Sequence, residues 1–375
     1  MIERKPLLSS VQKVVVKVGT GVIYSPEKGL AGEVIENLVG EILEGMEKKY
    51  QFVLVSSGAI GAGYRDLGLS ERPRILSLQQ AASAIGQIRL ISTYDRFFRE
   101  KGKVCAQILL TREDVEERKR FLNARNTFLS LLKRGIVPIV NENDTVATEE
   151  IRFGDNDTLS ALVAMLIGAD LLIILTDQKG LFSRDPRKKE EPQFIPVVER
   201  ITPEIEEMAS SGKGEGGMVT KIQAAKMLNT AGIPVVIAEG REKKVITRIL
   251  EGEEVGTLFI PCGKRIGVKK HWIAYHRKIK GKIYIDEGAK EAILRKGKSL
   301  LPSGIVKIEG NFSYGDTISI RDEKGLEVAR GLVNYSWSEL EKIKGCHSSQ
   351  IEEILGYRGY PEVVHRDNLV VLMGG

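Results

Sequence analysis

The chain has 375 residues, 42% of them hydrophobic, and no unbroken apolar run long enough to cross a bilayer; a soluble protein of two domains is expected and a helical membrane protein is excluded. Its 56 basic and 50 acidic residues leave a net charge of +6, mild for this length, which permits anionic ligands without demanding nucleic acid. The charged opening Met1-Ile-Glu-Arg-Lys-Pro6 lacks a signal-like apolar core, and the cysteines, Cys105, Cys262 and Cys346, are scattered, so a cytoplasmic location with reduced thiols is expected.

Residues 14–18 predict a β-branched strand running into Lys17-Val-Gly-Thr-Gly21. Glycines there would let the backbone approach a phosphate that the lysine neutralises, but taken alone the turn reads better as a solvated one with a surface lysine. The Walker A spacing occurs nowhere. A helix over 33–49 and a buried strand over 52–55 follow, and the strand opens into Ser56-Ser-Gly-Ala-Ile-Gly-Ala-Gly63. These small residues suit either an anion at a helix start or close helix packing. Helix 77–100, strand 104–110 and helix 121–134 lead to a strand over 136–140.

That strand ends abruptly in Asn141-Glu-Asn-Asp144, and a second polar cluster, Gly154-Asp-Asn-Asp-Thr158, precedes the apolar-periodic run 159–167 and so marks a helix start. Two such clusters exceed what closing an ordinary loop needs, and free N–H groups at a helix start attract anions. From Asp170 a continuous apolar strand runs to a polar turn, Thr176-Asp-Gln-Lys179, which implies cover on both faces and a parallel sheet. The glycine-rich stretch from Ser210 leads into a helix over 220–231, with Lys221 at an end where the dipole disfavours a cation unless an anion is near. Strand 233–238, helix 245–250 and strand 256–260 complete an α/β three-layer sandwich with a mainly parallel sheet. Lys17, Ser57, 141–144 and 176–179 all fall at the carboxyl ends of strands, where such sheets bind ligands. His271, His276, His347 and His365 all lie beyond residue 270, so chemistry in the larger N-terminal part uses no histidine.

Lys17-Val-Gly-Thr, the 56–63 motif, Phe121-Leu-Asn-Ala-Arg125, Val140-Asn-Glu-Asn-Asp144, Gly154-Asp-Asn-Asp157, Leu175-Thr-Asp-Gln-Lys-Gly-Leu181 and Gly216-Gly-Met-Val-Thr-Lys221 together resemble the amino acid kinase family, in order and over nearly the whole chain. The pairing of Asn-Glu-Asn-Asp with Gly-Asp-Asn-Asp resembles its glutamate-phosphorylating branch. The resemblance implies ATP-dependent phosphorylation of the γ-carboxylate of L-glutamate to L-glutamyl 5-phosphate, the first step of proline synthesis. Aspartate and N-acetylglutamate are the alternative substrates of sibling enzymes. It also implies that Lys17 and Lys221 stabilise the transferring phosphoryl group while Asp157 holds both. Ser57, Gly58, Ala59, Asn141, Asp144 and Asn156 would bind glutamate, with Asp144 facing its ammonium group. Lys17, Gly19, Thr176, Asp177, Gly216, Gly217, Met218, Val219, Thr220 and Lys221 would bind ATP. Mg2+ would bridge the phosphates without a dedicated set of protein ligands. Feedback inhibition by L-proline and a homo-oligomer, dimer or tetramer, are implied in the same way. Glu215 stands where the family's nucleotide loop usually has Thr, an unfavourable neighbour for phosphates unless it turns away or meets the metal.

Residues 1–262 are expected to form the catalytic domain, 263–277 a linker, and 278–375 a second domain with its tail. There, β patterns at 282–285, 304–308, 316–320 and 327–331 surround one short helix, 288–296, and indicate a small β-barrel-like module. Ile285-Asp-Glu-Gly-Ala289, Ser299-Leu-Leu-Pro-Ser-Gly304 and Gly310-Asn-Phe-Ser-Tyr-Gly-Asp316 resemble a PUA domain, which binds RNA in other proteins. Lys280, Lys282, Arg295, Lys296 and Lys298 form a basic neighbourhood, yet the mild net charge and the kinase-like partner favour a regulatory or packing role over RNA.

Overall fold

Val14, Val15, Val16 and Val18, stiff at χ1 and suited to a pleated surface, build β1 (Lys13–Val18), one of the two central strands of the main sheet. The structure is a computed structural model that describes residues 4–147, 155–183, 192–210, 217–261 and 279–372. It has two compact units, Met1–Arg265 and Ile266–Gly375. In the first, β1 is followed by β2 (Gln51–Ser56), β3 (Cys105–Leu110), β4 (Val137–Glu142), β5 (Leu171–Thr176), β6 (Val197–Val198), β7 (Val235–Glu239) and β8 (Thr257–Phe259). The sheet order is β6-β8-β7-β5-β1-β2-β4-β3. All pairs from β7 to β3 are parallel, whereas β8 runs antiparallel to β7.

Strand periodicity divides the first unit into layers. Val14, Val16 and Val18 join Phe52, Leu54, Ile173 and Leu175 in one core with α1 (Gly32–Glu47), whose Ile35, Leu38 and Ile42 are fully buried. Val15 and Lys17 therefore point to the opposite face. After the short α2 (Ala59–Gly63) and the long α3 (Leu76–Glu100) come α4 (Asn156–Ile167) and α5 (Met218–Asn229), which pack together on that second face. Arg4, only 4% exposed, donates to the main-chain carbonyls of Pro196, Glu253, Val255 and Gly256, so the chain start is fastened beside β8.

The expected boundaries shift where ladder pairing decides them. β4 runs two residues past the apolar stretch, because Asn141 and Glu142 stay in register with Leu109 and Leu110 of β3. Both are buried strand residues, not the opening of a loop. Small residues at 61 and 63 answer to packing: the Tyr24 ring lies on Gly61, and a Cβ on Gly63 or Gly86 would strike the Ala82 or Ala59 carbonyl where α2 crosses α3. Ser57 and Gly58, by contrast, lie at the end of β2, with Gly58 in the left-handed region at φ 102°.

The second unit holds β9 (Gly281–Ile285), β10 (Ile305–Gly310), β11 (Thr317–Asp322), β12 (Glu327–Leu332) and β13 (Leu369–Val371) in one sheet ordered β10-β9-β11-β12-β13. Ile283, Ile285, Ile318, Ile320 and Val328 fill its core. The single expected helix appears as Glu287–Leu294, capped by the Asp286 carboxylate. A second helix, Trp337–Ile343, and β13 had no place in the strand pattern, although Ser336 and Glu339 carry the spacing of a capping box and form one.

The α2–α3 crossing has backbone on both sides and cannot yield to an added methyl. Gly86→Ala is expected to lower the stability of the first unit by about 1–3 kcal/mol. Thermal unfolding measures this, and an unchanged Tm would mean that the two helices are free to separate.

Candidate active site

Lys17 is buried, not solvated. It is 5% exposed on β1, and its ammonium meets Asp157 Oδ1 at 2.6 Å. Lys221, 4% exposed in the opening turns of α5, reaches Asp157 Oδ2 at 3.2 Å. Thr220 Oγ donates to the same oxygen at 2.7 Å. Asp157, itself 1% exposed in the first turn of α4, thus stands between two ammonium groups, and the dipole of its own helix also favours a negative charge there.

Burial alone would push the Asp157 carboxyl up, but Lys17 and Lys221 outweigh it and hold the group below the ordinary carboxylate range. Burial lowers Lys17 below the 10.5 of a free lysine, opposed by Asp157 and reinforced by Lys221. Asp155 caps α4, accepting from the Thr158 N–H at 2.7 Å, and burial raises its carboxyl. The anion that Lys221 needs at a helix start is therefore already supplied by the protein. Two ammonium groups share that one carboxylate, so two cations are held side by side in a space nearly closed to water.

Beside this cluster, the Asn156 amide donates to Ser56 O at 3.2 Å, Ser57 Oγ at 3.0 Å and Asn141 Oδ1 at 3.0 Å. Asn141 Oδ1 also accepts from the Glu142 N–H at 2.9 Å. The ends of β2 and β4 and the start of α4 are thereby joined at one place. Asp144 lies in the turn after β4, its Oδ2 accepting from Ser83 Oγ of α3 at 2.6 Å. Ala59 opens α2 and is 4% exposed.

On the other side of Lys17, the Gly19 N–H donates to Leu175 O at 2.9 Å, and a Cβ on Gly19 would lie 3.2 Å from that oxygen and 3.7 Å from Lys17 Nζ. Thr176 donates to Asp177 Oδ1 at 3.0 Å at the end of β5. Gly217 caps α5, followed by Met218 and the exposed Val219, and the Thr220 hydroxyl lies between Asp157 and Gly217 O. Gly154, Glu215 and Gly216 lie outside the described residues. Among the described residues, no group of three or more His, Cys, Asp or Glu side chains converges as metal ligands would. Two partners of the site escaped the sequence reading. Ser83 had no spacing to mark it, and Tyr94, whose hydroxyl lies 3.1 Å from Ser56 Oγ, reads in sequence as an ordinary core aromatic.

Set beside known proteins, residues 12–239 match the Amino acid kinase family and residues 281–355 the PUA domain. The chain is similar to the glutamate 5-kinase of Caldanaerobacter subterraneus subsp. tengcongensis, 52% identical over 366 residues that cover 97% of this chain and 98% of that one. It is likewise similar to that of Syntrophotalea carbinolica, 50% identical with 98% and 99% covered, and to that of Dictyoglomus thermophilum, 48% identical with 97% and 98% covered. Among solved structures, carbamate kinase from Giardia lamblia bound to AMP-PNP has the same fold, with a TM-score of 0.50 at 17% identity, covering 68% of this chain and 100% of that one.

Removing the shared carboxylate leaves two buried ammonium groups facing each other. Asp157→Asn is expected to destabilise the first unit by about 3–5 kcal/mol in denaturant unfolding near neutral pH. Because the folded carboxyl is held below its ordinary 3.8, the stability it lends is complete above that value and is lost as pH falls through the lower, folded one. An Asp157→Asn protein as stable as wild type would mean that solvent reaches the pair.

Proposed function

The chain belongs to the amino acid kinase family and, within it, to the glutamate 5-kinases, and from that premise we propose that it transfers the γ-phosphoryl group of ATP to the side-chain carboxylate of L-glutamate. The observation that carries the reading is the buried pair of lysines sharing Asp157. Phosphoryl transfer asks a protein mainly for positioning and for neutralising charge on the equatorial oxygens. Lys17 and Lys221 are already fixed and already dry, so they face the developing charge without reorganising. Asp157 acts by keeping the two cations side by side against their mutual repulsion.

The acceptor needs no base. A glutamate side chain has a pKa near 4.3, so at neutral pH its carboxylate oxygen attacks directly. One P–O bond forms to that oxygen as the bond from the γ-phosphorus to the bridging oxygen breaks, and ADP leaves with the electron pair. This explains how a site without histidine suffices. Ser57, Asn141 and Asn156 offer hydroxyl and amide groups for the substrate's polar atoms, with Gly58 and Ala59 giving backbone close to it. Asp144 faces the substrate ammonium group. Thr176, Asp177, Gly19 and the start of α5 hold the nucleotide. Bound with ATP, Mg2+ would neutralise phosphate charge, and an ion that keeps several waters asks for few protein ligands.

Three further readings rest on the family resemblance. They are feedback inhibition by L-proline, which shares the backbone end of glutamate, a homo-oligomeric enzyme, and cytoplasmic location at the first step of proline synthesis. For the PUA-like unit a regulatory or packing role is favoured over RNA, since Lys282 lies 3.7 Å from Glu309 and Lys296 3.3 Å from Glu291, so part of its basic neighbourhood is neutralised.

The test is ATP turnover with L-glutamate, with hydroxylamine trapping the acyl phosphate as the hydroxamate. Wild type is expected to form hydroxamate with glutamate and not with aspartate. Lys221→Ala should lower kcat about 100- to 1000-fold while the glutamate KM changes little. Hydroxamate from aspartate alone would reassign the substrate. The pH profile gives a second check: activity belongs to protonated Lys17, whose pKa lies below 10.5, so kcat/KM should fall on the alkaline side before that value. A profile flat to pH 10.5 would mean that Asp157 outweighs burial and keeps Lys17 protonated.

A further inference from the structure

We propose that Ser83 is a positioning residue that selects for the ammonium group of the substrate by orienting the Asp144 carboxylate; the proposal rests on glutamate phosphorylation being the reaction. Ser83 is 1% exposed in the middle of α3, among Ala81, Ala82 and Ala84. A hydroxyl at such a place is disfavoured twice, because serine is a poorer helix former than alanine and because a buried polar group needs a partner. Its partner is Asp144 Oδ2 at 2.6 Å, a short charge-assisted bond.

The same helix face makes a second bond to the same turn. Three residues earlier, Gln80 Nε2 donates to Ala147 O at 2.9 Å, so side chains at i and i+3 hold both ends of 144–147. Within the turn, the Ala147 N–H donates to Asp144 O at 3.3 Å, and its entrance is fixed by the Asn143 N–H on Leu110 O at 2.9 Å. These bonds fix the backbone of the turn, and Ser83 fixes a point on the Asp144 carboxylate itself. It also lies one helical turn from Gly86, where α2 meets α3, so the helix that aims Asp144 is seated on the element carrying Ala59. A carboxylate held in this way recognises an α-ammonium group by both charge and direction, and an acid lacking that group gains nothing from it.

Ser83→Ala keeps a strong helix former at the position and is expected to fold. Its KM for L-glutamate should rise about 5- to 30-fold, with kcat and the KM for ATP within twofold of wild type. In an Asp144→Asn background the same change should add less than twofold, the non-additivity of two groups acting through one contact. Glutarate, which lacks the ammonium group, should be used equally poorly by wild type and Ser83→Ala. Ser83→Cys, of similar volume with a weaker donor, should fall between serine and alanine and serves if the alanine variant is unstable. An unchanged glutamate KM, or equal rises in both KM values, overturns the proposal. Wild type that forms no glutamyl hydroxamate overturns the assigned reaction instead, so the two failures are told apart.

Discussion

Two like charges share one counterion in a space that water does not reach, and this constraint orders the catalytic unit. Lys17 and Lys221 would repel each other if left alone, and Asp157 would be expensive to bury if unpaired; each of the three is tolerable only because the other two are present. The groups come from β1, α4 and α5, so the cluster exists only when strand and both helices have docked. A site of this kind is a product of tertiary structure, since no short peptide could hold it.

Everything around the cluster follows from where β1 lies. Its position between β2 and β5 brings Ser57 and Thr176 to either side of Lys17, and the parallel arrangement sends the carboxyl ends of all strands from β7 to β3 to the same edge. The polar residues after β2 and β4 meet on one flank, tied by the Asn156 amide. Those after β1 and β5 meet on the other, tied by the Gly19 N–H. A phosphate donor on one flank and an acid on the other would then face each other across the two lysines.

Most of this sheet was legible because its signals are local. Valine runs, small-residue turns and polar clusters each name their element within a few residues, and helix 245–250 fell where its pattern put it. What stayed hidden depends on distant partners. Taken alone the Lys17 turn reads as a surface one, because nothing near it in sequence announces Asp157, 140 positions away; it is the family resemblance that pairs the two. Asn141 read as a loop residue because its strand continues only on account of Leu109. Lys221 at a helix start does need an anion nearby, and Asp157 supplies one from within the protein. Ser83 was invisible for the plainest reason: a serine in an alanine-rich helix has no periodicity of its own, and its meaning lies wholly in the turn it touches.

The fastening of Arg4 bears on how such a chain is made. The two terminal guanidinium nitrogens donate to carbonyls at Pro196, Glu253, Val255 and Gly256, all of which emerge from the ribosome long after Arg4 itself. β1 shares this on one side only: β2 pairs with it early, whereas β5 on its other side begins at Leu171. The segment around Arg4 therefore has no completed seat until residues 196–256 are present, so its docking is a long-range event of the kind that loop-closure entropy makes slow.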